Sequence, residues 1–192
     1  MENKLYFITG NINKFKEVKA MIPDVEQLDI DLVEIQELDE HKVIEHKLLE
    51  AMSHHDGKFI VEDTSLYLDC LHGLPGPYIK WFLQTIGNDG LVDITKKFNN
   101  NRAYVKVIFG CARDSKTIKY FKGEVKGRIV PVRVKSGFGW DDIFVPSGYT
   151  QTYAQMGKEE KNKISMRTIA LTKLKEFLNQ EKNKYNNKGD GN

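Results

Sequence analysis

A lysine and two asparagines follow a glycine in Thr9-Gly10-Asn11-Ile12-Asn13-Lys14, just where the apolar stretch from Leu5 gives way to polar residues. A strand handing over to a helix N-terminus at such a place offers free backbone N–H groups and the positive end of the helix dipole. Both favour an anion. The same residues also suit an ordinary junction with an asparagine cap, and the phosphate-loop pattern G-x-x-x-x-G-K-[ST] is absent from the chain. Glu62-Asp63-Thr64 ends a second apolar stretch. Neighbouring side chains on a strand point to opposite faces, so one of these carboxylates can enter a cleft while the other turns away. A carboxylate so placed binds a hard cation or orients a water, and Glu34 is a second possible oxygen donor. Taken singly, each is more often an ordinary solvated loop carboxylate.

Phe138-Gly139-Trp140-Asp141 sets two aromatic rings about a glycine beside a carboxylate. Such rings stack on a purine, and an aspartate accepts from a ring N–H, although aromatic residues of this kind are more often core. Lys158, Lys161, Lys163 and Arg167 place cations on the first turns of the expected last helix, the end where the dipole favours acids. Those cations gain a purpose only opposite phosphates. The histidines build no metal site: His41 and His46 do not share a helix face, and Cys70-x-His72 has no partners. No G-x-S-x-G occurs.

The elements that must position these groups are legible in outline. Leu5 to Thr9 reads as a buried strand, and Phe15, Val18 and Ile22 recur at helical spacing up to Pro23, with Asn11 or Asn13 as cap. Val25 to Ile30 reads as a strand, Asp39 to His55 as a helix, and Lys58 to Val61 as a strand that delivers Glu62 and Asp63 at its end. Pro77 suits the first position of a helix from Tyr78 to Ile86, which Gly87 to Gly90 breaks before a helical piece from Leu91 to Phe98. Ala103 to Ala112 and Lys116 to Val130 read as a hairpin, with Gly123 and Gly127 as bulges or close-approach points. A last helix is expected from Lys158 to about Leu178. The order predicts an α/β fold with a mixed sheet, organised as one domain over residues 1–180 and a flexible polar tail over 181–192.

Composition narrows the class. The 192 residues are 40% hydrophobic, 29% charged and 10% aromatic, too apolar for disorder and too charged for a membrane protein. Even the longest uncharged run, Ile143 to Gly157, is rich in Gly, Ser, Thr and Gln. Lys+Arg (29) nearly balance Asp+Glu (27), which argues against nucleic-acid binding by bulk charge. Two cysteines, Cys70 and Cys111, are too few for a disulfide framework, and the apolar run before Gly10 is too short for a secretory signal. A reducing, cytoplasmic setting is the expectation.

Taken together, the motifs resemble the inosine triphosphate pyrophosphatase (Ham1/RdgB-like) family, in its eukaryotic form, from about Leu5 to Phe177. The blocks carrying the likeness are Thr9-Gly10-Asn11 with Lys14 and Glu17, then Val61-Glu62-Asp63-Thr64, then Gly73-Leu74-Pro75-Gly76-Pro77-Tyr78-Ile79-Lys80-Trp81-Phe82. They continue through Phe138-Gly139-Trp140-Asp141, Phe144 with Pro146, Gln151-Thr152-Tyr153-Ala154, Lys161-Asn162 and Ser165-Met166-Arg167. The resemblance implies an elongated α/β fold of two lobes around a central nucleotide cleft, assembled as a homodimer. It implies Mg²⁺-dependent hydrolysis, with Mn²⁺ as a substitute, of deaminated purine nucleoside triphosphates to monophosphate and pyrophosphate, which cleanses the nucleotide pool.

Carried over by position, Thr9, Gly10, Asn11, Ile12, Asn13 and Lys14 cradle the triphosphate, with Lys47, Lys80 and Lys161 adding charge. Glu34 and Asp63 face the metal, Asp63 is also the base for the attacking water, and Thr64 lies beside it. Phe138, Gly139, Trp140, Asp141, Met166 and Arg167 line the base pocket. The family usually has histidine where this chain has Met166, and that histidine helps to read the 6-oxo group. Reduced selectivity among bases is therefore expected. Gly157 stands where the relatives often carry proline, which should loosen the start of the last helix. Two rival readings are a pyrophosphatase of the same fold with shifted base specificity and a nucleotide-binding module without hydrolysis.

Overall fold

The computed structural model describes residues 4–136 and 138–189, residues 184–189 by backbone alone. Four segments open the fold: β1 (Leu5–Ile8), α1 (Ile12–Met21), β2 (Val25–Leu28) and α2 (Glu40–His54). Asn11 is the cap of α1, its side chain accepting from the backbone N–H groups of Asn13 and Lys14, and Asp39 caps α2 in the same way at His41. β3 (Lys58–Leu68) follows, then a 3₁₀ turn (Asp69–Leu71), the short β4 (Pro75–Gly76), α3 (Ile79–Thr85) and α4 (Gly87–Lys97). The chain returns as β5 (Arg102–Ala112), β6 (Lys119–Ile129) and β7 (Phe144–Pro146), and ends in α5 (Tyr153–Ile164) and α6 (Met166–Gly189).

The strands form one mixed sheet in the order β2-β1-β3-β5-β6-β7, with β4 also paired to β3. β1 runs parallel to β2 and β3, while β3, β5, β6 and β7 are antiparallel to one another. Apolar residues alternate along β3 and serve two cores. Phe59 and Val61 pack with Ile44, Leu48 and Ala51 of α2 on one face. Ile60, on the other face, belongs to the larger cluster that holds Val18 of α1 and Ala170, Leu171 and Leu174 of α6. The sheet is therefore covered on both sides, as a parallel unit with crossover helices requires.

Several expected boundaries move. β3 does not end at Val61: it continues through Glu62, Asp63 and Thr64 to Leu68, because β5 pairs with it along that whole length. β1, by contrast, pairs with β3 only as far as Ile60. The carboxylates thus sit in mid-strand, just past the point where the neighbouring parallel strand stops. Gly87 opens α4 directly after Ile86, so Gly87 to Gly90 form the first turn of that helix and do not separate two helices widely. Gly123 and Gly127 are close-approach points and not bulges, since the β5–β6 register is unbroken. A Cβ on Gly123 would lie 1.8 Å from the Met166 carbonyl oxygen, and one on Gly127 would lie 2.3 Å from that of Val145.

The expected last helix is two helices. Thr152 and Gln155 form a capping box at the start of α5, and Ser165 takes an extended conformation that ends it. Lys161 and Lys163 therefore occupy the last turn of α5, where the dipole favours cations, which reverses the expectation for them, while Arg167 does lie in the first turn of a helix, α6. Gly157 has φ 75°, a left-handed kink inside α5 that proline could not adopt. α6 runs on to Gly189, so the part of the expected tail that is described is helical. Its stripe of Leu171, Leu174 and Leu178 is extended by ion pairs of Glu181 with Lys58 and of Lys182 with Asp24. No helix among the described residues is long and apolar enough to cross a membrane.

Candidate active site

The site begins at the β1–α1 junction. Thr9 Oγ1 accepts from the Asn11 backbone N–H at 3.1 Å, and Asn11 Oδ1 accepts from Asn13 and Lys14 at 3.0 and 3.2 Å. Gly10 is the residue over which the chain passes Asp29, and a Cβ there would stand 3.0 Å from Asp29 Oδ1. The junction presents a helix N-terminus without an acidic residue in its first turn, and Lys14 projects from that turn. It is a site that can hold an anion.

Asp63 lies on the α2 face of the sheet. Lys47 reaches it from the buried stripe of α2, between Ile44 and Leu48, where an ammonium must find partners. Its Nζ is 2.8 Å from Glu34 Oε1 and 3.7 Å from Asp63 Oδ1. Lys80, from the start of α3, lies 3.4 Å from Glu34 Oε2. Ser65 donates to Asp63 Oδ2 at 3.2 Å. Glu34, Asp63, Tyr78 and Lys80 border one small recess. Burial pushes the Asp63 carboxyl above its ordinary value, and Lys47 and Lys14 oppose that only in part. Glu34 moves the other way: burial raises it, but Lys47 and Lys80 together outweigh burial and hold it low.

Glu62, one residue earlier, lies on the opposite face; the sequence named it beside Asp63 but gave it no role in the site. Its Oε1 is 2.6 Å from Lys14 Nζ, and its two oxygens accept from Arg167 Nη2 and Nε at 3.2 and 3.1 Å. Thr64 Oγ1 donates to the same carboxylate at 3.3 Å. Glu17 of α1 accepts from Arg167 Nη1 at 2.8 Å. Burial disfavours the Glu62 charge, but Arg167 and Lys14 outweigh it and bring the carboxyl down to about 2.

Beyond this network opens a cavity of about 580 Å³ lined by Glu17, Phe138, Asp141, Tyr153, Lys161 and Arg167, among others. Asp141 and Lys161 are both buried and pair at 2.5 Å, with the Lys161 ammonium 4.6 Å from the Phe138 ring centre. Burial raises the Asp141 carboxyl despite that lysine. Gly139 is positioned by its carbonyl, which accepts from Asn88 Nδ2 of α4 at 3.0 Å.

The structure thus forms two groups. Glu34, Lys47, Asp63 and Lys80 meet on the α2 face. Lys14, Thr64 and Arg167 gather around Glu62 on the other, where Phe138, Asp141 and Lys161 line the cavity; Ile12 is half exposed at the junction. Two residues expected at the base pocket lie elsewhere. Met166 is buried in the main core and is absent from the cavity lining, because its backbone is pressed against Gly123 and its side chain joins the cluster under α6. Trp140 is likewise in the core, 9% exposed, with its Nε1 buried and without a hydrogen-bond partner among the described residues. Glu62, Glu17 and Tyr153, which stood in the motif blocks without an assigned role, join the site. Thr152-x-x-Gln155, a readable capping signal, would have placed Tyr153 on an inward first turn.

No cluster of three or more His, Cys, Asp and Glu side chains that could enclose a metal occurs among the described residues. Glu34 and Asp63 nevertheless flank one lysine and supply hard oxygen donors. One or two carboxylates completed by substrate phosphates are the usual set for Mg²⁺.

Comparison with known proteins agrees with this architecture. The sequence profile of the Ham1 family matches residues 5–177. The inosine triphosphate pyrophosphatase of Schizosaccharomyces pombe is 41% identical over 183 residues, covering 93% of this chain and 97% of its own length. That of Fusarium vanettenii is 44% identical over 183 residues, with 93% and 98% covered. The inosine triphosphate pyrophosphatase 2 of Trypanosoma cruzi is 42% identical, with 90% and 91% covered. Among solved structures, the Staphylococcus aureus Ham1 protein superposes with a TM-score of 0.81 at 26% identity, over 93% of this chain and all of that one. From the matched profile, these identities and the shared mixed sheet, the chain belongs to the Ham1 family.

Proposed function

We propose that this chain hydrolyses nucleoside triphosphates of deaminated purines, such as inosine triphosphate, to the monophosphate and pyrophosphate. The observation carrying this reading is the division of labour across β3. Asp63, with a raised carboxyl, faces a cluster of Lys47, Glu34 and Lys80 on one side, while a cavity holding Phe138, Asp141 and Arg167 opens on the other. The triphosphate lies along the Thr9–Lys14 junction and the base enters the cavity. Asp63 takes a proton from a water whose oxygen bonds to the α-phosphorus. The bond from that phosphorus to the bridging oxygen breaks, and pyrophosphate leaves with the electron pair. A base with a raised pKa is better matched to neutral pH than an ordinary aspartate. Lys14, Lys47 and Lys80 meet the charge of the leaving pyrophosphate in a partly dry site. Glu34 and Asp63 would hold Mg²⁺, or Mn²⁺ in its place, which when bound neutralises phosphate charge and polarises the reacting phosphoryl group.

Base choice rests on Asp141, Lys161 and Arg167, since Met166 presents no donor to the cavity. This favours a second reading, the same reaction with relaxed selection among purines. Family likeness is the support for a homodimer and a cytoplasmic setting, which light scattering and localisation of a tagged chain would check. The primary test is a panel of nucleoside triphosphates with Mg²⁺, scored for pyrophosphate. Release from inosine and xanthosine triphosphates ahead of ATP fits the first reading, and even release across purines fits the second. No release from any would leave a binding module.

A further inference from the structure

The base cavity and the phosphate junction are joined by one side chain. Glu62 has a side chain only 3% exposed, and it accepts from Lys14, which stands in the phosphate junction, and from Arg167, which lines the cavity. Glu17 completes the group by holding Arg167 from the other side. Two cations and two carboxylates thus balance in a network that is buried at Glu62 and Arg167 and partly exposed at Lys14 and Glu17, and Lys14 and Arg167 share the same Glu62 oxygen, Oε1. Lys14 itself is absent from the cavity lining.

We propose that Glu62 is a positioning residue that couples triphosphate binding to base selection, by dividing its charge between Lys14 and Arg167. The inference rests on the functional reading above and deepens it. A bound triphosphate pins the Lys14 ammonium, whose side chain is 27% exposed, between the phosphates and Glu62. So held, Lys14 keeps the Glu62 charge compensated and leaves the Arg167 guanidinium free to donate to a base. Charge-assisted bonds in low dielectric depend strongly on such sharing. Base discrimination is therefore conditional on phosphate occupancy. Without Lys14, the network keeps one carboxylate in excess beside the cavity. That excess disfavours the 6-oxo acceptor of hypoxanthine and favours the 6-amino donor of adenine.

Affinities measured by calorimetry in metal-free buffer containing EDTA test this without relying on turnover. The probes are inosine triphosphate, ATP and inorganic tripolyphosphate. Lys14→Met is expected to weaken tripolyphosphate by about tenfold or more, the loss of one charge-assisted contact. It should also lower the inosine-to-adenine affinity ratio by about fivefold, as contacting residues in one network couple. In a Glu62→Gln background, Lys14→Met should move that ratio by less than about twofold, the limit for independent sites. Glu17→Gln, which touches Arg167 and not Lys14, should shift the ratio and, because coupling is reciprocal, shift tripolyphosphate affinity by no more than the same factor.

A ratio unmoved by Lys14→Met, or moved equally in both backgrounds, overturns the coupling. Should Glu62→Gln fail to fold, the ratio in Lys14→Met against wild type decides alone. Pyrophosphate release by the wild type with Mg²⁺ is recorded in parallel. Its absence would remove the hydrolytic reading while the affinity cycle still decides the coupling, and failure of the wild type to bind inosine triphosphate overturns both.

Discussion

Asp63 and Glu62 are neighbours in sequence, yet their carboxyls move in opposite directions. Burial dominates at Asp63 and raises it, while Arg167 and Lys14 overcome burial at Glu62 and bring it to about 2. Asp63 is thus the one kept available for a proton. Asp63→Asn should lower turnover by about 10²–10⁴-fold, the usual cost of losing a general base. Its raised carboxyl means that ionisation at neutral pH works against the fold, so the same variant should show a thermal midpoint no lower than wild type at pH 7. Lys47 keeps Glu34 as partner in that variant. Steady-state kinetics and a melting curve check both, and a variant that is inactive only because it is unfolded would fail the second. The alternation rule placed these two carboxylates on opposite faces from sequence alone, but it could not say which face held the cations. Lys14 and Arg167 lie 153 positions apart, and only the packing of α6 against β6 and β5 brings them to Glu62. Met166 and Trp140 were misplaced for a related reason: a residue type that suits a ligand suits a core equally well.

At the scale of elements, the N-terminus of α6 carries Arg167 and is fixed by its contact with Gly123 of β6. A Cβ there would meet the Met166 carbonyl at 1.8 Å and the Ala170 backbone nitrogen at 2.9 Å, and backbone cannot move aside as a flexible side chain does. Gly123→Ala should therefore destabilise by about 1–3 kcal/mol, a typical cost of overpacking. At about 2–4 °C per kcal/mol for a chain of this size, the melting curve resolves it. Because α6 must shift, kcat/KM should fall as well, whereas Gly139→Ala, with open space around its Cβ but a φ of 58° that a side chain rarely adopts, should cost stability by local strain and leave the α6 packing intact. The helical and strand periodicities of α1, α2, β5 and β6 were readable because their apolar faces are regular. The break between α5 and α6 was not, since Ile164-Ser165-Met166 contains neither Gly nor Pro and the turn is dictated by tertiary packing. The length of β3 was hidden because charges in mid-strand look like a strand end when their partners are unseen.

Across the whole molecule, the buried network around Glu62 makes stability depend on acid. The unfolded carboxyl titrates near 4.5 and the folded one at about 2, so Glu62 stabilises the fold above the first value and that contribution is lost as pH falls toward the second. By linkage, a shift of this size is worth about 3 kcal/mol. Asp63 and Asp141 have the opposite sign, contributing stability at low pH that is lost as pH rises through their raised values. Melting midpoints between pH 5 and pH 2 should therefore fall in the wild type and fall less steeply in Glu62→Gln. The central claim is chemical, and it concerns where water attacks. Inosine triphosphate hydrolysed with Mg²⁺ in ¹⁸O-water should give ¹⁸O-labelled monophosphate and unlabelled pyrophosphate, read by mass spectrometry. Inorganic phosphate together with inosine diphosphate would place attack at the γ-phosphorus and contradict the account.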